Sequence, residues 1–473
     1  MNRLFVSAAH KSSGKTTLCI GLCAALRERG EAVQPFKKGP DYIDPLWLGL
    51  AAGRPCYNLD AYLSGEEELR AEFARRMAGA SLGIVEGNKG LYDGLDLEGS
   101  NSNAALAVLL RTPVVLVLDA RGMTRGIAPL ILGYQAFDKN VQIAGIILNQ
   151  LGGSRHEAKL RAVIKHYTGV PVLGAVQHDE HLTIVERQQG LVPSNEADAA
   201  AATGRVREIA RRIASQVDLD ALLAVARGAG HLPPVAVSDG NPRIKPGARV
   251  VRIGVARDAA FGFYYPGDLE ALRQAGAELV AFDAMHDRRL PLIDGLFIGG
   301  GFPEMHMEAL SSNVELRAEL RSAIEAGLPT YAECGGLMYL ARGIEWNGRR
   351  AEMVGVVPAD IAMHSRPVGR GYVHLRETGA SPWAGPSSSS ATQIRAHEFH
   401  YSSVENLPAD VKFAYEVERG HGVDGRHDGI VRGNLVASYS HLRDVEGNRW
   451  ARRFVEFVRR CRTGALRVAS GLS

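Results

Sequence analysis

The 473-residue sequence contains only five cysteines, and none of them forms a pair with the spacing of a metal-binding knuckle. Their odd number and wide separation argue against a disulfide framework, so we expect reduced thiols in a cytoplasmic protein. The formal net charge of +3 is too small to indicate a nucleic-acid or acidic-membrane partner. The chain also lacks a leader-like start and any run near the ~18 apolar residues that a membrane span needs.

What is present is an ordinary globular composition, with 46% hydrophobic and 23% charged residues. A chain of this length exceeds one ordinary core and therefore predicts two or three domains. Residues 228–249 are rich in proline, glycine and polar residues and show no hydrophobic periodicity. We predict a first domain at residues 1–227, a linker at 228–249 and a second domain at 250–473. The serine-rich stretch 382–392 is predicted to be a surface loop.

Short apolar runs alternate with helical segments in both predicted domains, which is typical of α/β folds. In the first domain these runs are apolar on both faces, as in the central strands of a covered parallel sheet. The predicted strands are Leu4–Ala9, Gly83–Glu86, Val114–Asp119, Ile143–Leu148 and Val170–Val176, then Val250–Ala256, Glu278–Phe282, Gly295–Ile298 and Pro329–Cys334. The first domain is therefore predicted to be doubly wound.

The segment Ala9–Thr16 follows the first predicted strand and opens a helix at Thr16–Arg29, which is where a phosphate-binding loop belongs. It departs from the usual pattern only in having Ala9 for the first glycine. In such a loop, backbone N–H groups hold phosphate oxygens, the lysine reaches the terminal phosphates and the hydroxyl ligates magnesium. The predicted nucleotide-binding residues are Ser13, Gly14, Lys15, Thr16 and Thr17.

Two acidic clusters, Lys37–Pro45 and Glu86–Asp93, belong to the same domain, and the second begins at the end of a buried apolar run. Ligands of open α/β sheets bind at such strand ends, and carboxylate and hydroxyl oxygens suit magnesium. We predict Thr16, Asp41 and Glu86 as the magnesium ligands. The alternative for Glu86 is a helix N-cap.

Cys334 is the most informative residue of the second domain. A predicted strand leads into it, and a helical segment starts after the two glycines that follow, which is the arrangement of a nucleophile elbow. We expect the turn to raise the thiol into the open, while the helix N-terminus stabilises a thiolate and an oxyanion. The alternative is a buried structural cysteine.

The glycine run of Gly299–Glu304 follows a predicted strand and supplies backbone amides for an oxyanion hole. We predict that Gly300, Gly301 and Gly335 form it.

A histidine partner for the thiol is predicted at His441, at the end of a strand Val436–His441. A Cys–His pair generates a thiolate, and the histidine then protonates the leaving amine. The cluster His397–His400 is a second candidate, but its histidines are only three residues apart, which is not the spacing of a zinc-binding HExxH motif.

These motifs resemble, over essentially the whole chain and in the same order, the cobyrinic acid a,c-diamide synthase family. Its class I glutamine amidotransferase domain is similar to Gly299–Glu304, Ala332–Gly336, His397–Ser402 and Ala437–His441. Its N-terminal domain, which is similar to dethiobiotin synthetase, resembles Ala9–Thr17, Gln34–Pro45 and Glu86–Gly94. The implied fold is α/β throughout: a doubly wound P-loop domain of the dethiobiotin-synthetase type, then a class I glutamine amidotransferase-like domain.

The resemblance implies a cytoplasmic carbon–nitrogen ligase that uses ATP, Mg²⁺, L-glutamine and a tetrapyrrole polycarboxylate. Cys334 and His441 would release ammonia from glutamine, and the ammonia would pass inside the protein to the ATP site. There ATP would activate the a and c acetates of cobyrinate or hydrogenobyrinate as acyl phosphates, which ammonia converts to amides. The implied synthetase residues are Lys15, Thr16, Asp41, Tyr42, Glu86, Lys89 and Asp93. A homodimer through the N-terminal domain is a family expectation.

One departure from the family pattern concerns the support of His441. Amidotransferases with a full triad carry a carboxylate two residues after the histidine, where this chain has Arg443. Either another residue, such as Glu398 or Glu333, orients His441, or Cys334 and His441 work as a dyad.

A second departure concerns the substrate. Corrin-acting members usually have Val-Met where this chain has Asn88-Lys89. With Arg121–Gly126, this variant is similar to a branch near sulfur-oxidation operons that is thought to amidate the sirohaem precursor. Amidation of sirohydrochlorin or sirohaem is therefore the alternative function, and Lys89 is either a cation for the polycarboxylate or a solvated lysine.

A distant alternative is a nucleotide switch of the partition-ATPase type, whose P-loop fold is related. That class has a signature lysine directly after the first position of the loop, where this chain has His10, and it has no reason to carry Cys334 and His441. Asp119, which ends an apolar run, stays open between a switch carboxylate and a structural cap.

Overall fold

The computed structural model describes residues 1–182, 184, 186–187, 190–196, 199–234, 250–384 and 393–469. The chain divides into two compact units, Met1–Ser238 and Asp239–Ser473. Residues 235–249 of the predicted linker and 385–392 of the predicted serine-rich loop lie outside the described residues.

The first unit is built on a seven-stranded sheet. Its strands are β1 (Asn2–Ala8), β2 (Val33–Lys38), β3 (Tyr57–Leu59), β4 (Leu82–Glu86), β5 (Val114–Asp119), β6 (Ile143–Leu151) and β7 (Val172–Gln177). They lie in the order β3-β2-β4-β1-β5-β6-β7, and every neighbouring pair is parallel. A separate short hairpin consists of β8 (Glu186–Arg187) and β9 (Gly190–Leu191).

Helices cover both faces of this sheet. They are α1 (Lys15–Glu28), α2 (Ile43–Ala52), α3 (Glu66–Arg76), α4 (Asn103–Leu109), α5 (Ile127–Phe137), α6 (Ser154–Tyr167), α7 (Ala199–Ala214) and α8 (Leu219–Arg227). One core contains apolar residues of α1, α2, α7 and α8, and the other contains those of α3 to α6. Because each central strand faces both cores, its residues are apolar on both sides, as the sequence predicts.

The second unit has a nine-stranded sheet and smaller sheets beside it. Its strands are β10 (Val251–Ala256), β11 (Phe261–Phe263), β12 (Ala277–Phe282), β13 (Gly295–Ile298), β14 (Gly300–Gly301), β15 (Thr330–Glu333), β16 (Gly343–Trp346), β17 (Arg349–Glu352), β18 (Asp360–Met363), β19 (Gly369–Glu377), β20 (Ile394–His400), β21 (Ser402–Glu405), β22 (Lys412–Arg419), β23 (His427–Arg432) and β24 (Leu435–Ser438). Its helices are α9 (Pro266–Gln274), α10 (Met307–Ser312), α11 (Val314–Glu325), α12 (Gly335–Leu340) and α13 (Trp450–Ala469).

The large sheet is parallel at one side and antiparallel at the other. The order is β12-β10-β13-β15-β24-β23-β22-β19-β20, with parallel pairs from β12 to β24 and antiparallel pairs from β24 to β20. A four-stranded sheet, β17-β16-β18-β21, and the pair β11-β14 complete the unit. Among the described residues, no helix combines the length and apolar character that crossing a membrane requires.

Glycine permits α12 to pack directly on the sheet. A Cβ on Gly336 would come within 2.3 Å of the Ile298 carbonyl oxygen at the end of β13. The predicted strand Val436–His441 is wrong at its end, because β24 stops at Ser438. His441 lies beyond that strand and exchanges backbone hydrogen bonds with His397 of β20 (2.7 and 3.3 Å).

Candidate active sites

The predicted phosphate-binding loop runs from β1 into α1. Gly14 precedes the helix with φ of 81°, a left-handed conformation, and a Cβ there would come within 2.2 Å of Asn149 Nδ2. The Asn149 amide donates a hydrogen bond to the Ser13 carbonyl (2.9 Å), so β6 holds the loop from the side. Only glycine meets both the backbone and the space requirement. Lys15 is buried, with Nζ 3.4 Å from the His10 carbonyl oxygen, and burial lowers its pKa against the opposing charge of Glu86.

Polar groups from three segments converge beside this loop. The Thr16 hydroxyl donates to Glu86 Oε1 (2.7 Å) and lies 3.1 Å from Asp44 Oδ2. Lys37 Nζ lies between the carboxylates, 2.5 Å from Asp44, 2.8 Å from Glu86 and 3.9 Å from Asp41. Burial alone would lower the pKa of Lys37, but the carboxylates outweigh it and hold that pKa well above its usual range. The sequence prediction omitted Asp44 from the magnesium ligands, although Asp44 is the aspartate next to Thr16.

The donor set suits a magnesium ion that is shared with phosphate groups. Glu86 Oε2 is fully buried and has no hydrogen-bond partner within the described part of the chain, so it is available as a ligand. The described residues contain no group of three or more His, Cys, Asp or Glu that could hold a metal ion by themselves. Magnesium is commonly bound through one or two carboxylates, with the remaining positions filled by substrate phosphates and water.

The turn after β4 packs directly on the phosphate-binding loop. Asp93 Oδ2 accepts a hydrogen bond from the Gly90 amide (2.8 Å), and a Cβ on Gly90 would come within 2.6 Å of the Ala9 carbonyl oxygen. Lys89 in this turn is exposed and has a positive φ of 34°. Asp93 therefore holds the turn that presents Lys89 beside the loop.

A second lysine, which the sequence prediction did not single out, lies near Lys89. Lys38 at the end of β2 is 6% exposed, and its Nζ donates to the carbonyl and side-chain oxygens of Asn101 (2.5 and 2.6 Å). In the described residues no carboxylate lies within 4.0 Å of this amine. Burial lowers the pKa of Lys38 to about 8; Lys89 acts in the same direction, and Asp60 opposes it. The site thus contains a largely charged amine whose direct partners are neutral.

The remaining predicted residues of this unit lie at element ends. Tyr42 is the residue before α2, and Thr17 is in the first turn of α1. Asp119, at the end of β5, accepts hydrogen bonds from the Arg121 amide (3.0 Å) and guanidinium (2.6 Å). These bonds favour the structural-cap interpretation of Asp119.

The second site centres on Cys334, which lies between β15 and α12. Its backbone has φ of 48° and ψ of −104°, and such outliers cluster at functional sites. The Cys334 amide donates to the Ser438 carbonyl (2.7 Å), which fixes the elbow to β24. The expectation of an open thiol is wrong, because Cys334 is only 7% exposed and its Sγ lies 3.9 Å from the Phe399 carbonyl oxygen.

The predicted oxyanion glycines lie against this elbow. A Cβ on Gly335 would come within 2.9 Å of the Gly301 amide nitrogen, and one on Gly300 within 2.8 Å of His441 Cε1. A Cβ on Gly301 would overlap the Ala260 carbonyl oxygen at 1.9 Å. Glycine at these positions lets the Gly300–Gly301 segment, the elbow and the histidine approach one another.

His441 is buried between Cys334 and a carboxylate. Its Nδ1 lies 3.4 Å from Glu333 Oε2. The other oxygen of Glu333 accepts hydrogen bonds from the Tyr331 hydroxyl (2.6 Å) and the Leu442 amide (2.9 Å). Burial alone would lower the pKa of His441, but its interactions with Cys334 and Glu333 outweigh burial and raise that pKa to about 10. A cationic imidazole beside the sulfur favours the thiolate.

The other candidates for supporting His441 have different partners. The Arg443 guanidinium stacks over the Tyr265 ring at 4.1 Å and lies 4.0 Å from Asp268. Glu398 Oε2 lies 3.7 Å from His400 Nε2, and both Glu398 oxygens accept backbone N–H groups from the turn after β22. Glu398 therefore pairs with His400.

His397 and His400 do not form a metal-binding pair. Residues three apart on a strand point to opposite faces, and both histidines lie on β20. Burial, reinforced by His441, lowers the pKa of His397 to about 3, so its ring is neutral. His400 instead stacks on Tyr439 with ring centroids 3.7 Å apart.

Comparisons with known proteins define first the class of each half. Residues 5–192 match the family model described as the CobQ/CobB/MinD/ParA nucleotide binding domain. Residues 252–447 match the model described as the CobB/CobQ-like glutamine amidotransferase domain. The chain therefore joins a nucleotide-binding domain to a glutamine amidotransferase domain, as the motifs predict.

Relatives of similar length define the family more narrowly. The cobyrinate a,c-diamide synthase of Magnetococcus marinus is 48% identical over 462 residues, covering 97% of each chain. That of Methanosarcina acetivorans is 39% identical, covering 96% of this chain and 95% of the relative, and that of Picrophilus torridus is 39% identical, covering 96% and 98%. The chain belongs to the cobyrinate a,c-diamide synthase family.

The charge cluster of the first site leads to a stability prediction. Lys37→Met leaves the buried Glu86 and the partly buried Asp44 without their cation, so we expect a loss of about 3–5 kcal/mol in the free energy of unfolding. Urea unfolding of the full chain measures it. The control is Lys165→Met, which removes the same charge from an exposed position on α6. Equal stability of the two variants would contradict the compensating role of Lys37.

Proposed function

We propose that this protein is an ATP- and glutamine-dependent ligase that amidates the a and c acetate carboxylates of a tetrapyrrole of the cobyrinate or hydrogenobyrinate type. The observation that carries the proposal is the presence, in one chain, of a Cys334–His441 elbow and a P-loop with its acidic cluster. The names of the full-length relatives favour a cobyrinate-type substrate. Amidation of sirohydrochlorin stays a prediction, based on the Asn88-Lys89 variant together with Arg121–Gly126. The domain division at 1–227, 228–249 and 250–473 is part of the same proposal.

The second domain supplies ammonia. Cys334 Sγ attacks the side-chain amide carbon of glutamine, and the oxyanion that forms is stabilised by backbone amides of Gly300, Gly301 and Gly335. His441 gives a proton to the leaving nitrogen, so the C–N bond breaks and ammonia departs from a glutamyl thioester. Water, losing a proton to His441, then hydrolyses the thioester to glutamate and restores the thiol.

The first domain uses this ammonia. Backbone amides from Ser13 to Thr17 and the Lys15 amine hold the phosphates of ATP, and an acetate oxygen of the tetrapyrrole attacks the γ-phosphorus. ADP leaves, ammonia attacks the carbonyl carbon of the acyl phosphate, and phosphate departs to give the amide. Thr16 and Glu86, together with Asp41 or Asp44, would hold magnesium, which would neutralise charge on the phosphates.

The basic residues of the first site support a polycarboxylate as substrate. The charged amine of Lys38 has only neutral partners within hydrogen-bonding distance, and Lys89 brings a second cation to the same turn region. The Lys38 amine, whose hydrogen-bond partners are neutral, and the exposed Lys89 amine favour binding of carboxylates that do not react. Tyr42 and Asp93, beside the acidic cluster and the turn, complete the proposed substrate side.

Mass spectrometry of products tests the function directly. The purified chain is given cobyrinate, hydrogenobyrinate or sirohydrochlorin with ATP, Mg²⁺ and glutamine, and we expect mono- and diamides of a corrinoid. Cys334→Ala should abolish amidation with glutamine and spare it with ammonium chloride, because only ammonia supply is lost.

Each outcome of that experiment has a defined meaning. Absence of amides from all three macrocycles would contradict the ligase function, and amides from sirohydrochlorin alone would select the alternative substrate. If Cys334→Ala lost both nitrogen sources, the assignment of Cys334 to ammonia supply alone would be wrong.

Lys15→Ala should affect the two activities in the reverse way to Cys334→Ala: synthesis is lost and glutaminase activity is kept. It removes the amine that reaches the phosphates, so we expect synthesis to fall by about 10²-fold or more with either nitrogen donor. Glutamate release from glutamine should persist. Lys11→Ala, an exposed lysine of the same loop, is the control. Unchanged synthesis in Lys15→Ala would remove the loop from ATP chemistry.

Lys38→Gln tests the polycarboxylate contact. Glutamine still donates a hydrogen bond to Asn101 but carries no charge, so we expect KM for the tetrapyrrole to rise about 10-fold or more while KM for ATP stays unchanged. Lys159→Gln, an exposed lysine on α6, provides the same charge change as control. Parallel changes in both KM values would indicate a structural role for Lys38 instead.

A further inference from the structure

The chain lacks a carboxylate at the position where class I amidotransferases place the third member of the triad. That position is Arg443, whose guanidinium lies over Tyr265 and close to Asp268. A base that activates a nucleophile needs a third group to fix its ring and tautomer. In the described part of the chain, Glu333 at the end of β15 places a carboxylate against the ring of His441.

We propose that Glu333, the residue before the nucleophile, positions His441 for the glutaminase reaction. The proposal rests on the proposed glutaminase function of Cys334 and His441. Glu333 contacts neither glutamine nor the reacting atoms in this scheme, so it is a positioning residue. Its role is to orient the imidazole and to stabilise its protonated form.

The hydrogen bonds of Glu333 leave one oxygen for His441. Oε1 is occupied by two donors, the Tyr331 hydroxyl at 2.6 Å and the Leu442 amide at 2.9 Å. Oε2 is the oxygen that lies 3.4 Å from His441 Nδ1. An Nδ1–H directed at Oε2 leaves Nε2 as the nitrogen that exchanges a proton with Cys334. Both side chains are almost fully buried (Glu333 3%, His441 2% exposed), so water does not screen the interaction.

The charges around His441 come from three elements. Cys334 at the start of α12 and Glu333 at the end of β15 favour the imidazolium, and the ring of His397 of β20, with its centroid 6.1 Å from that of His441, is neutral. Because His397 is neutral, Glu333 is the group that stabilises the cation when the sulfur is consumed in the thioester. The imidazolium needs this stabilisation after His441 has taken a proton from the hydrolytic water.

The rival carboxylate is engaged elsewhere. Glu398 accepts the amides of His421 and Gly422 at 2.8 Å each and faces His400. These contacts show that Glu398 holds the turn after β22 and is directed at His400 instead of at His441 Nδ1.

The test compares Glu333→Gln with Glu398→Gln in the full-length protein. Glutamine retains an oxygen for the Tyr331 and Leu442 donors and removes the charge. A carboxylate raises the pKa of a neighbouring imidazole, so its removal should lower the pKa of His441 by about one to three units. The alkaline limb of glutaminase kcat/KM should move to lower pH, and kcat should fall about 10- to 100-fold. Ammonium-supported synthesis and Tm should change little, and Glu398→Gln should leave the alkaline limb in place.

A second readout does not depend on activity. The imidazole resonance of His441, identified by its loss in His441→Gln, is titrated by NMR in the wild type and in Glu333→Gln. An unchanged pKa of His441 in Glu333→Gln would overturn the proposal. If that pKa shifts as expected but the wild type releases no glutamate from glutamine, only the proposed glutaminase function is overturned. If Glu333→Gln fails to fold, Glu333→Asp replaces it. A longer gap to Nδ1 should then give a smaller shift of the same sign, and no shift would overturn the proposal.

Discussion

Parallel strand pairing is the constraint on which both candidate sites depend. Parallel strands end at the same edge of a sheet, so residues far apart in sequence come together after their carboxyl ends. In the first unit this edge collects the phosphate-binding loop after β1, the lysines that end β2 and Glu86 at the end of β4. In the second unit the same edge collects Gly300 after β13, Cys334 after β15 and His441 after β24. Both units therefore place their candidate site residues at the carboxyl ends of parallel strands, although the two sites differ in their chemistry.

Burial of charge at this edge explains why the polar residues occur in sets. A lone buried ion is expensive, and pairing with a hydrogen-bonded partner offsets that desolvation. Lys37 therefore sits among carboxylates, and Glu333 is fixed by two donors before it meets His441. Lys38 is the exception, because its partners are carbonyl oxygens. A cation with incomplete local compensation is suited to an anion that arrives from outside.

The sequence predicted much of this, and the failures have physical causes. Strands that are apolar on both faces, such as β5 and β13, were predicted with their observed limits, because two-sided burial leaves a continuous apolar run. The antiparallel strands of the large second sheet, β19, β20, β22 and β23, were not predicted, since they mix polar and apolar residues and the His397–His400 motif on β20 does not specify a strand. The end of β24 was misplaced because Tyr439 is buried like a strand residue although the chain has already left the sheet. Asp44 was omitted from the predicted magnesium ligands, and Lys38 was not singled out. A motif does not contain the helix and strand geometry that decides which of two neighbouring side chains points into the site.

The position of the carboxylate that supports His441 follows from the register of two strands. β15 and β24 are parallel, with Glu333 opposite Ser438, so the residues after Ser438 pass beside the end of β15. A carboxylate on either chain segment can therefore reach the same imidazole nitrogen. In this chain the residue after His441 donates its amide to Glu333, and the next residue, Arg443, turns toward Tyr265 and Asp268. A carboxylate at position 443 would have to point away from Tyr265 and Asp268 to reach the imidazole of His441, whereas Glu333 already lies beside that ring. The position of a supporting carboxylate in the sequence is thus less constrained than its position in space, and an arginine at the usual place does not by itself reduce the site to a dyad.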